Sequence, residues 1–100
     1  MLTVSEIRQK LTPVFDKNGV TKATLFGSYA ANLATEHSDI DLVIDTEDHI
    51  KGLRFFGILD EIKKVLNQDV DLLVQRMIEE NSVIDQEIKK EGVIIYEKTD

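Results

Sequence analysis

Two aspartates, Asp39 and Asp41, stand two residues apart in Ser38-Asp39-Ile40-Asp41-Leu42, and a third, Asp71, lies within Val70-Asp71-Leu72. In an extended strand, residues i and i+2 project to the same side roughly 6–7 Å apart, and a paired strand lies about 4.8 Å away. Asp39 and Asp41 therefore share a face, and Asp71 joins them if its strand pairs with theirs. Three carboxylates with no cation repel one another, so such a patch binds a hard divalent ion, raises a pKa or costs stability. Magnesium is the expected ion. A pair of ions about 3.5–4 Å apart, bridged by two of the carboxylates, would activate an attacking oxygen and steady a leaving phosphate. Asp69 shares strand parity with Asp71, but Asp71 is preferred as the third acid because it sits inside the apolar run Val70–Val74.

A complement for anions stands upstream at Gly27-Ser28. Gly27 permits close backbone approach to a ligand, and a helix starting near Ser28 would aim free N–H groups at phosphate. The elements that must hold these residues follow from their patterns. Thr3 and Glu6 form a capping-box signature, followed by Val4, Ile7, Leu11, Val14 and Phe15 on one stripe; Pro13 is expected to kink this helix or begin a second turn capped by Thr12, and Asn18-Gly19 to end it. Val20–Phe26 reads as a strand entering the Gly27 turn, and Tyr29–Leu33 as one helical turn. Asp39–Ile44 reads as a strand with Ile40, Leu42 and Ile44 on one face and the acids with Val43 on the other. Leu53–Leu66 has helical spacing, Val70–Val74 is a third strand, Ile78–Glu91 a last helix, and Val93–Tyr96 a fourth strand. The expected architecture is α+β, a small mixed sheet with helices packed on one face, in a single domain spanning residues 1–100.

With 100 residues there is room for one core and no separate lid. Twelve Lys+Arg against 19 Asp+Glu give a net charge of -7, which argues against a polynucleotide-binding face. Hydrophobic residues make up 42% and occur in short runs, so no membrane span is expected. The absence of Cys excludes disulfides, thiolate nucleophiles and Cys-ligated zinc, and a cytoplasmic location is the default expectation.

Taken together, Gly27-Ser28-Tyr29-Ala30, Ser38-Asp39-Ile40-Asp41-Leu42 and Val70-Asp71-Leu72 resemble the minimal nucleotidyltransferase (MNT) domains of the DNA polymerase beta superfamily. The resemblance implies that Asp39, Asp41 and Asp71 are catalytic and ligate Mg2+, with Asp71 as ligand or general base, and that Gly27, Ser28 and Ser38 bind the nucleotide. It implies attack of a hydroxyl on the α-phosphate of ATP or another nucleoside triphosphate, with pyrophosphate leaving. It further implies an antitoxin role beside a HEPN-domain protein, which would be the AMP acceptor. The sequence departs from the family at Ala31-Asn32, where Arg-Gly is usual. Asn32 tolerates a left-handed backbone, but Ala31 supplies no guanidinium; Lys22 and Arg54 are candidates to replace it. This departure supports an alternative in which the chain is a catalytically weak or inactive module that neutralises a HEPN partner by binding it.

Other polar and aromatic residues have plainer readings. His37 and His49 are expected in solvent, Tyr29 packed under the loop, and Glu79-Glu80 and Lys89-Lys90-Glu91 on the wet face of the last helix. Only one of the adjacent Phe55 and Phe56 can face the core from a helix; the other marks a partner surface.

Overall fold

The computed structural model describes residues 1–48 and 50–99, so the expectation for His49 lies outside the described residues. The elements run α1 (Val4–Lys17), β1 (Val20–Phe26), α2 (Gly27–Ala30), β2 (Ile40–Thr46), α3 (Gly52–Leu66), β3 (Val70–Val74), α4 (Val83–Glu91) and β4 (Val93–Glu97). This is the expected α+β order. Helix α1 opens with a full capping box: Thr3 Oγ1 accepts from the Glu6 N–H at 3.1 Å, and Glu6 Oε1 accepts from the Thr3 N–H at 3.0 Å. Pro13 lies inside α1 without ending it. Beside it, the Thr12 hydroxyl donates to the Arg8 carbonyl at 2.7 Å.

The sheet has the order β3-β2-β1-β4. β1 is antiparallel to both β2 and β4, while β2 and β3 are parallel, joined by the crossover through α3. Alternation along β2 divides the molecule. Ile40, Leu42 and Ile44 are fully buried and pack with Leu25, Leu72, Ile7, Phe15 and Ile62 into the main core beneath α1 and α3. The opposite face carries a smaller cluster of Phe26, Val43 and Ile88, the last from α4. The two long helices thus cover one face, as expected, and the short α4 lies over part of the other, the face that bears Asp41.

Two helices start two or more residues from where the sequence places them. The last helix starts at Val83 rather than Ile78, because Asn81 takes a left-handed conformation (φ 65°) and Ser82 Oγ caps the Asp85 N–H at 3.2 Å. Gln75–Met77 forms a separate 3-10 turn. The short helix spans Gly27–Ala30 rather than Tyr29–Leu33, so it starts two residues early, at the glycine itself, and ends three residues early. Among the described residues, no helix is long and apolar enough to cross a membrane.

Candidate functional site

The register of the central strands assembles the site. Asp41 is paired on one side with Phe26, the last residue of β1, and on the other with Asp71 of the parallel β3. Directly opposed residues on paired strands point to the same face, so Asp41 and Asp71 project together. Asp39 lies just before β2, at the same parity as Asp41. Asp41 is half-buried, whereas Asp39 and Asp71 are exposed at the rim.

The electrostatics record this convergence. Burial first, and then the charges of Asp71, Asp39 and Glu87, push the Asp41 carboxyl up to about 6. Asp69 is not among these charges; its main-chain carbonyl accepts from the Ile40 N–H at 3.1 Å, and Asp71 is the acid that meets Asp41. Among the described residues, none of the four acidic side chains is engaged by an ion pair or hydrogen bond.

Glu87 was not singled out in the sequence. It precedes Ile88 on α4, and Ile88 packs on Phe26 and Val43, the cross-strand partner of Asp41 and the residue two positions along β2. The available signal was its place at the edge of the Ile84–Ile88 stripe, but the stripe does not reveal which face of the sheet the helix covers.

Gly27 is required by this arrangement. Its φ of 72° is left-handed, and a Cβ built there would overlap the Asp41 carboxylate. The turn therefore lies directly against the central acid. Downstream, α2 closes with two bonds: Leu33 N–H to the Ser28 carbonyl at 2.9 Å and Asn32 N–H to the Tyr29 carbonyl at 3.4 Å. With Asn32 at φ 60°, this is a Schellman closure, and the asparagine fulfils the left-handed role expected of it. Tyr29 is buried as expected, its hydroxyl donating to Gln68 Oε1 at 2.8 Å.

Ser38 braces the approach to Asp39. Its Oγ accepts from the Thr35 N–H at 2.9 Å and its own N–H donates to the Thr35 carbonyl at 3.0 Å. Ser38 and Asp39 also line a polar groove of about 430 Å³ with Asn67, Gln68 and Asp69. His37 is exposed beside Glu36.

Neither candidate cation stands at the Gly27 turn. The Arg54 guanidinium donates to the Asn18 carbonyl at 2.8 Å, before the start of β1, whereas Gly27 follows its end. The seven residues of β1 set those ends about 20 Å apart. Lys22 is paired with Asp45, four residues and about 13 Å along β1 from Phe26.

The donor set fits a hard divalent ion in chemistry: oxygen ligands only, formal negative charge, and no competing cation on the same side chains. Among the described residues, no three acidic or imidazole groups close to metal-holding distance in this structure.

The family profile described as polymerase beta, nucleotidyltransferase matches residues 9–100. The protein adenylyltransferase MntA of Thermococcus cleftensis is 33% identical over 79 residues, covering 75% of this chain and 80% of that protein. A toxin-antitoxin crystal structure with AMP-PNP contains a chain that superposes with a TM-score of 0.79 at 22% identity, over 91% of this chain and 73% of the other. A complex of the tri-AMPylated Shewanella oneidensis HEPN toxin with MNT antitoxin gives a TM-score of 0.74 at 20% identity, covering 96% and 74% of the two chains. These structural likenesses establish the fold. With the motifs on adjoining strands and the profile running through all three of them, the chain belongs to the polymerase beta nucleotidyltransferase family.

Proposed function

We propose that this chain transfers AMP from ATP to a hydroxyl of a HEPN-domain partner, as the antitoxin of a toxin-antitoxin pair. The observation that carries the reading is the seating of the Gly27-Ser28 turn against Asp41, with Asp71 in register beside it. A phosphate tail held by Gly27 and Ser28 lies next to the acids, with the Ser38 turn bracing Asp39. The acceptor oxygen attacks the α-phosphorus, the bond from phosphorus to the oxygen bridging the β-phosphate breaks, pyrophosphate leaves, and the hydroxyl proton passes to a carboxylate, a role this reading gives to Asp71. Asp39, Asp41 and Asp71 would hold Mg2+, expected as two ions, which would neutralise charge on the phosphates and the leaving group. The net charge of -7 favours a protein acceptor over a polynucleotide. The relatives support the assignment: MntA is named a protein adenylyltransferase, and the HEPN toxin in the S. oneidensis complex is AMPylated.

The test is intact-mass spectrometry of a candidate HEPN-domain partner, after incubation with the chain, ATP and Mg2+. The expected result is addition of AMP, lost with Asp39→Asn or Asp41→Asn. No adduct under any nucleoside triphosphate contradicts the reading. Ala31 favours a second reading, a binding module whose transfer site is weak or inactive. The Schellman closure through Asn32 completes the main chain of the loop, while Ala31 supplies no guanidinium for phosphate. Full neutralisation of the partner by the Asp41→Asn variant would support that reading.

A further inference from the structure

β3 is bonded to β2 on one side only, so the main-chain groups of its outer edge are open to another strand. Along that edge Leu72, Leu73 and Val74 line a groove of about 330 Å³ whose other walls include Phe55, Phe56 and Met77. Phe56 is 63% exposed and Met77 80%. The Phe55 and Phe56 rings meet edge to face with centroids 5.5 Å apart, so the half-buried Phe55 holds its neighbour out over the groove. Large apolar side chains grouped in this way mark an interaction surface.

Among the described residues that line the groove, the one charged side chain is a cation, Arg76. Lys51 falls between the lining residues Ile50 and Gly52. Neither forms an ion pair among the described residues. The N-terminus of α3 adds partial positive charge, with no acidic residue in its first turn and no side-chain cap.

We infer that the β3 edge and its groove bind an extended, acid-flanked apolar segment of a partner protein. Such a segment satisfies the open main chain of β3, places alternate apolar side chains against Phe56 and Met77, and sets its carboxylates toward Lys51 and Arg76. A second copy of the chain would bring the same net charge of -7 and the same basic rim. A lipid surface offers no strand to pair with β3. The inference stands on this edge alone and does not depend on nucleotidyl transfer.

Fluorescence anisotropy with the full chain tests it. The probe is a dye-labelled peptide of about ten residues, an alternating valine-threonine core flanked by glutamates, compared with the same core flanked by lysines. The expected result is at least about tenfold tighter binding of the glutamate form, weakening with salt. Phe56→Ser and Arg76→Glu should each reduce that affinity about tenfold; both side chains are exposed, so circular dichroism should be unchanged. Amide chemical-shift changes should centre on Leu72, Leu73 and Val74. Equal binding of the two peptides, no binding, or shifts centred on β4 would overturn the inference. So would concentration-dependent dimerisation abolished by Phe56→Ser, or a preference for phosphatidylserine vesicles over the acidic peptide.

Discussion

Asp41 ionises in the folded chain against burial and against the charges of Asp71, Asp39 and Glu87, which together raise its carboxyl to about 6. An unfolded aspartate titrates near about 3.9, so between those values the folded state holds a proton that the unfolded state has lost. Stability from this group therefore falls as pH rises from about 4 to 6, and the penalty is complete above that window. Solvent screening of a half-exposed group leaves it at about 1 kcal/mol. Asp41→Asn should raise the melting temperature of the chain in EDTA at pH 7.5 by about 4–8 °C and give little gain at pH 4.5. A lower melting temperature for the variant at pH 7.5 would refute this account of the site. Gly27 adds a second prediction at this scale. Gly27→Ala should cost about 2 kcal/mol or more in urea denaturation, from the left-handed backbone and the overlap with Asp41, and clearly less in an Asp41→Ala background, where the overlap is relieved.

At the scale of elements, the α2 closure depends on one asparagine. Asn32→Gly should leave stability within a few tenths of a kcal/mol, and Asn32→Val should cost about 1–2 kcal/mol, read by urea denaturation, because a β-branched side chain resists φ 60°. That role was legible in the sequence, since asparagine is one of few residues that replace glycine there. The strands were also legible: Val20–Phe26 and Val70–Val74 match their observed ends, because β-branched and apolar runs bounded by turn residues leave little choice of register. The start of α4 was not. Asn81-Ser82 carries a stop and a cap inside the run Ile78–Glu91, and Ile78 packs with the small cluster under α4. Pro13 does not end α1, because packing of Ile7, Leu11, Val14 and Phe15 holds the helix continuous across it. The acids of the site could be read from strand parity, whereas Glu87 could not, because helix periodicity does not say which sheet face the helix will cover.

Across the whole molecule, the sheet separates packing from proposed chemistry. One face is sealed by α1 and α3 around fully buried aliphatics, and the other, partly covered by α4, bears the acids. Divalent ion binding to that second face should stabilise the folded chain by mass action. Millimolar Mg2+ should therefore raise the melting temperature of the wild-type chain at pH 7.5 and leave that of the Asp39→Asn, Asp41→Asn double variant unchanged; an equal rise in both would place the ion elsewhere on the acidic surface. The most direct measurement of the central claim is calorimetric titration of ATP into the chain, with Mg2+ and then with EDTA. The account predicts saturable binding that requires Mg2+ and is lost in Asp41→Asn. Undiminished binding to Asp41→Asn, or no binding to the wild-type chain, would contradict a nucleotide site built on the register of Asp41 and Asp71 beside the Gly27 turn.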